Sequence, residues 1–211
     1  MVAVSSPDSV ASKVQRRLRG WGLGRVFSVR SMLDLGSRAS IDVALHRLTR
    51  NGVIRRLGRG LYDLPRHHTL FGPLSPSIDE VARAIADGTG ETIGISPASA
   101  ANALGISTQV PARPVYLTTG PTRVVQVGTQ TLRFQHTMPA SLAGGDTKAG
   151  LTLRAIRAFG RGGVGDQDIA RLRAILDDAD RRKLNGLRTN ATGWMLPIID
   201  RITAPAKGEA A

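Results

Sequence analysis

Four apolar residues, Ile41, Ala44, Leu45 and Leu48, fall at i, i+3, i+4 and i+7, and so share one face of a helix. That helix has a start in Ser37, a residue type that caps free backbone N–H groups. It has a stop in Asn51-Gly52, a pair that tolerates left-handed backbone. The strand pattern Val53-Ile54-Arg55-Arg56-Leu57 follows at once, then the turn Gly58-Arg59-Gly60 and a return strand, Leu61-Tyr62-Asp63-Leu64, closed by Pro65. Upstream, Ser9 caps a first helix with Val10, Val14, Leu18 and Trp21 on one face, ended by Gly22 and Gly24. After the short apolar pair Val26-Phe27, Ser28 caps a second, short helix through Leu35, and Gly36 closes it. Three helices and a two-stranded hairpin within about 65 residues make a winged helix-turn-helix, with the second and third helices as the reading pair.

Charge supports a polyanion partner. The chain of 211 residues has a formal net charge of +13. Residues 1–68 hold 13 Lys+Arg and 4 Asp+Glu, or +9; the remaining 16 and 12 give +4. An arginine-rich proteome explains the choice of arginine over lysine, but not its concentration at one end. The residues expected at DNA are Ser37, Arg38, Ser40, His46, Arg47 and Arg50 on the third helix, and Arg55, Arg56 and Arg59 on the wing. Arg38 has the reach for guanine O6 and N7. Ser37 serves as N-cap, as a hydrogen-bond donor to DNA, or as both. Asp42 would repel phosphate, so it pairs with Arg38 or faces a base amino group. Arg47 and Arg50 are either a solvated face or phosphate contacts. Strand alternation lets at most two of the wing arginines point to DNA together, with Arg56 and Arg59 favoured.

Residues 69–78 are rich in Pro and Gly and read as a linker. Beyond them the pattern changes to a mixed α/β domain, residues 79–205. Its elements are a helix over 78–86, a strand over 92–95, a helix over 97–104, a strand over 115–119 and a hairpin of 124–127 with 131–136. From residue 147 on, only helical stripes appear. Residues 206–211 read as a disordered tail. The expected class is α+β: an N-terminal winged helix-turn-helix, then a C-terminal mixed α/β domain ending in a helical bundle.

Catalytic patterns are missing. There is no cysteine, hence no thiolate metal site, disulfide or cysteine nucleophile. GPLSPS lacks the spacing of a nucleophile elbow, and GTGETIG and GRGGVGDQD lack the lysine of a phosphate loop. His67-His68 is a poor metal site without a carboxylate pair nearby. Asp177, Asp178 and Asp180 beside Arg181, Arg182 and Lys183 read as helix punctuation. No enzyme activity, catalytic residue, metal or cofactor is expected. No run of about 18 apolar residues exists, so no membrane span or membrane partner is expected, and a cytoplasmic location fits the lack of cysteine.

Several stretches taken in order resemble one family. They are FSVRSMLDLGSRASIDVALHRLTRNGVIRRLGRGLYDLP, then GPLSPS, then GISPASAANALGISTQVPARPVYLTTGPTR, then the helical close near GWMLPIIDRI. Over residues 10–202 the chain is similar to the AbiEi-like antitoxins of type IV toxin–antitoxin systems. The resemblance implies an N-terminal winged helix that binds inverted repeats in its own promoter and represses its operon. It also implies a C-terminal domain needed to neutralise a co-encoded nucleotidyltransferase-like toxin, with direct contact left open. The implied partners are double-stranded DNA and that toxin, and the implied state is a monomer or weak dimer, cooperative on DNA. The competing reading is a stand-alone winged-helix regulator whose second domain senses a ligand or dimerises. A nuclease-like second domain is disfavoured by the lack of a carboxylate–lysine cluster.

Overall fold

The structure, a computed structural model, describes residues 9–108 and 114–205; the expected tail, 206–211, lies outside the described residues. The chain divides into two compact units, Met1–Glu91 with Gln126–Thr131, and Thr92–Val125 with Leu132–Ala211.

In the first unit, α1 (Val10–Trp21) starts at Ser9, whose hydroxyl accepts the Ser12 N–H at 3.2 Å. Val14 and Leu18 are its buried residues. Val26 and Phe27, expected only as a short apolar pair, belong to a strand, β1 (Val26–Ser28). The expected second helix is a 3-10 helix, Val29–Leu35. The third is α2 (Arg38–Arg50), and it buries the four residues of the apolar stripe, Ile41, Ala44, Leu45 and Leu48. The hairpin is β2 (Arg55–Gly58) with β3 (Leu61–Asp63). Val53 and Ile54 stand outside the strand because their N–H groups turn back to the Leu48 carbonyl, at 3.0 and 3.5 Å, and close the end of α2. β1 adds a third strand in the order β1-β3-β2, so the sheet is wider than the two-stranded hairpin expected. All pairings are antiparallel, and Asp63 lies opposite both Val26 and Arg55.

The expected linker is structured. His67–His68 (β4) and Gly72–Pro73 (β5) pair antiparallel, closed at the base by Leu74 N–H donating to the Arg66 carbonyl at 2.7 Å. The first unit then runs on through α3 (Ile78–Thr89), which packs on β1 and on the 3-10 helix. A reciprocal cap fixes its start: Ser77 Oγ accepts the Glu80 N–H, and the Glu80 carboxylate accepts the Ser77 N–H, both at 3.2 Å. Val81, Ala82, Ala84 and Ala86 form its buried side. The division therefore falls after Glu91, past the boundary that the Pro/Gly-rich stretch suggested.

In the second unit, β6 (Ile93–Ile95) leads to α4 (Pro97–Ala103) and then β7 (Val115–Thr118). β8 (Arg123–Val127) and β9 (Gln130–His136) follow, turning at Gly128, whose φ is 58°; the turn segment Gln126–Thr131 is the part of this hairpin counted with the first unit. The sheet order is β6-β7-β9-β8, with β7 parallel to β9. A parallel pair cannot be closed by a tight turn; here β8 intervenes in the chain and takes the edge. The helices α5 (Lys148–Phe159), α6 (Asp166–Ile175), α7 (Asp178–Gly186) and α8 (Leu196–Thr203) complete the unit. Leu153, Ile156, Leu172, Leu184, Ile199 and Ile202 share one core there, while Phe27, Ile41, Leu45 and Ile54 belong to the core of the first unit. The fold class is mixed α+β.

Small residues set the approach of α5 to its neighbours. α4 packs on α5, and Ala100 and Ala101 of the one share a core with Ala149 and Ala155 of the other. A Cβ on Gly150 would stand 2.4 Å from the Gly145 carbonyl oxygen and 2.6 Å from the Gly144 carbonyl carbon, both backbone. Alanine is the better helix former by about 0.8–1.0 kcal/mol. Gly150→Ala is nonetheless expected to destabilise the second unit by about 2 kcal/mol or more, because the preceding loop has to move. Urea unfolding read by circular dichroism checks this; a stabilised variant contradicts it.

Candidate nucleic-acid interface

The outer face of α2 begins at its cap. Ser37 Oγ accepts the Ser40 N–H at 3.2 Å, and the two hydroxyls meet at 2.8 Å. Two hydroxyl protons serve one mutual bond, so one O–H stays available to an outside acceptor. Arg38, Asp42, His46 and Arg50 then follow at spacings of four along one exposed line, with Arg47 beside them. Arg38 Nε donates to Asp42 Oδ2 at 2.9 Å, and both side chains are about half exposed, at 61% and 48%. Of the two alternatives for Asp42, the pair with Arg38 is the one formed.

Val43 also faces outward from α2, 52% exposed. The sequence reading passed over it, although it is the one apolar residue between Ile41 and Leu48 that lies off the buried stripe. An exposed valine on such a face matches the apolar contact that a thymine methyl makes in the major groove.

The hairpin separates its arginines. Arg55 points inward: Nη2 donates to Asp63 Oδ2 at 2.6 Å and to the Leu74 carbonyl at 2.8 Å, and Asp63 is 1% exposed. Arg55, expected among the DNA contacts, thus has its guanidinium engaged inside the unit. Arg56 and Arg59 are exposed; Arg56 Nε donates to the Gly58 carbonyl at 3.2 Å across the register shift between Arg56 and Gly58. Gly60, with φ of 70°, makes the turn and accepts the Val29 N–H at 3.0 Å, which ties the hairpin tip to the start of the 3-10 helix.

Arg17 and Asp34 form a two-bond pair at 2.5 and 2.6 Å between α1 and the 3-10 helix. The hydrogen bond from Arg17 holds the Asp34 carboxyl below its usual range, and the same bond raises the Arg17 guanidinium. A depressed carboxyl contributes stability above its ordinary pKa and loses it as pH falls through the lowered value. The three carboxylates in residues 9–68, Asp34, Asp42 and Asp63, are each held by an arginine. Two of the four histidines serve local bonds: His68 Nδ1 accepts the Leu70 N–H at 3.2 Å, and His136 Nδ1 meets the Gly120 carbonyl at 2.9 Å. Among the described residues no three His, Cys, Asp or Glu side chains gather as a metal site, and no helix is long and apolar enough to cross a membrane.

The class is therefore an α+β protein with a basic, helix-and-hairpin surface on its first unit. The chain belongs to the DUF6088 family, described as a family of unknown function, whose profile matches residues 12–184. A solved structure, that of the RV2827C protein from Mycobacterium tuberculosis, is similar at 17% identity with a TM-score of 0.39, covering 96% of this chain and 78% of that one. No curated protein matches the chain.

Asp63 and Arg55 give a stability prediction. Removing one partner of a buried pair leaves the other uncompensated, at a cost of about 3–5 kcal/mol. Since Arg55 is one-third exposed, Arg55→Ala is expected near the lower end. Arg56→Ala and Arg59→Ala are expected to stay within about 0.5 kcal/mol of the parent. Thermal unfolding of the three variants tests this; equal losses in all three refute the assignment of Arg55 to the interior.

Proposed function

We propose that the first unit is a winged helix-turn-helix that binds double-stranded DNA, with α2 as the reading helix and the β2–β3 hairpin as the wing. The observation that carries this reading is the pairing of charge. Arg47, Arg50, Arg56 and Arg59 are exposed on α2 and on the hairpin, while every carboxylate in residues 9–68 is held by an arginine. Such a surface attracts phosphate and has no exposed acid outside an ion pair to repel it. The element order helix, strand, helix, helix, strand, strand also supports the reading.

In this mechanism Arg47, Arg50, Arg56 and Arg59 neutralise phosphates, and the hydroxyl left over at the Ser37–Ser40 cap donates to one more. Arg38 reads sequence. Leaving Asp42 costs an exposed i,i+4 pair, about 0.3–0.5 kcal/mol. A bidentate guanine contact is worth about 1–3 kcal/mol of discrimination. The exchange therefore favours the base, and Asp42 holds Arg38 ready until DNA arrives. Val43 and His46 lie next on the same face. The chain acts by binding, with no chemistry of its own.

Following the resemblance to AbiEi-like antitoxins, we read the DNA target as repeats in the chain's own promoter. On that reading the protein represses its operon and neutralises a co-encoded nucleotidyltransferase-like toxin. The repression is tested by fluorescence anisotropy with the upstream duplex and a scrambled duplex at several salt concentrations. With those four arginines each neutralising a phosphate, the log–log salt slope is expected to be about −3.6. Arg38→Ala is expected to narrow the gap between the two duplexes. Arg59→Ala is expected to weaken both alike and make the slope shallower by about one. A flat salt response sinks DNA binding. The antitoxin role has its own test: growth arrest by the neighbouring nucleotidyltransferase-like product should be relieved by co-expression of this chain, and persistent arrest removes it.

A further inference from the structure

The first unit holds a hollow of about 220 Å³ where the root of the β4–β5 hairpin meets the first turn of α3. It opens to solvent, since Arg66, Leu74 and Ser75 in its lining are exposed. Three charged side chains line it: Asp63, Arg66 and Glu80. Asp63 is matched by Arg55. The other two carry opposite signs, yet Arg66 and Glu80 form no ion pair with each other or with any described residue.

Each of the two is held by its own surroundings. Arg66 Nε donates to the Leu23 carbonyl at 3.2 Å. Its guanidinium lies against Gly24, where a Cβ would stand 2.2 Å from Nε and 2.8 Å from Nη2. Its Nη1 and Nη2 make no hydrogen bond to a described residue. Glu80 spends Oε2 on the cap of α3, accepting the Ser77 N–H at 3.2 Å and the Ser77 hydroxyl at 2.9 Å. Its Oε1 is left over, and so is the Ser75 hydroxyl.

The lining selects the ligand. An anion alone would meet Glu80, and a phosphate dianion would meet two carboxylates in the same hollow. An amine alone would meet Arg66. A zwitterion answers both charges: its carboxylate takes paired N–H bonds from a guanidinium, and its ammonium group donates to a carboxylate. Leu74, 39% exposed, and Pro76 offer apolar surface beside these groups. The volume exceeds the roughly 150 Å³ of a cavity that holds benzene, which suits a small metabolite.

We propose that this hollow binds a free α-amino acid, with Arg66 on its carboxylate, Glu80 on its ammonium group, and Leu74 and Pro76 against its side chain. None of these residues belongs to the surface assigned to DNA, and the site stands without that reading.

The test is thermal unfolding of the full chain with each common L-amino acid at millimolar concentration, below the range in which amino acids act by exclusion from the surface. A saturable rise in the midpoint is expected, as a ligand bound only by the folded state must give. Aliphatic members are expected above glycine. The strongest is then titrated calorimetrically beside its deaminated acid and its decarboxylated amine. Each of those lacks one charge-assisted bond and is expected to bind about tenfold more weakly or worse. Glu80→Gln keeps a residue type that serves the same cap and is expected to fold and to lose the response. Arg66→Gln is expected to lose it too; should that variant not fold, Glu80→Gln decides. The double variant Arg56→Ala/Arg59→Ala is expected to respond as the parent does, which separates the site from general attraction to the basic surface. The proposal is overturned by the absence of a saturable rise with every amino acid, by a full response in Glu80→Gln, or by an acid or amine analogue that binds as tightly as the amino acid.

Discussion

The buried carboxylate of Asp63 is the fixed point of the first unit. It sits on the middle strand of three, opposite Val26 on one side and Arg55 on the other. A carboxylate at 1% exposure persists only with a partner, and Arg55 supplies two hydrogen bonds to it. The same guanidinium holds the Leu74 carbonyl, where the chain returns from the β4–β5 hairpin. One ion pair thus sets the register of β2 on β3 and anchors the segment that leads into α3.

Much of this unit was legible in the sequence, since its signals are local. The cap at Ser37, the stripe from Ile41 to Leu48 and the Gly58–Gly60 turn each depend on residues within a few positions of one another. What was hidden depends on distant partners. Three residues, Val26–Ser28, are too few to show a period, and their strand character comes from pairing with β3, some 35 residues on. The stretch 69–78 reads as a linker because Gly72, Pro73 and Pro76 interrupt any period, yet Arg55 and the Leu74–Arg66 bond hold its base in place. Arg55 and Arg56 look alike in sequence; only the position of Asp63 separates them.

The second unit shows the same limit more sharply. Its helical stripes were visible, but the parallel pairing of β7 with β9 leaves no mark in either strand. Arg154 lies within a helix whose apolar pattern is otherwise ordinary, so sequence alone suggests a solvated arginine there. Its burial follows from the close seating of Gly144 and Gly145 against Gly150, a backbone contact that no side-chain pattern announces.

The pairing of every described carboxylate before residue 69 has a consequence for the free molecule. What remains in that stretch is a set of exposed like charges, Arg47, Arg50, Arg56 and Arg59 among them, and they repel one another. Added salt screens that repulsion, so it tightens the free unit even as it weakens the hold on any polyanion. On the proposed DNA-binding reading, folding and binding respond to ionic strength with opposite signs, and a concentration of salt that favours one works against the other.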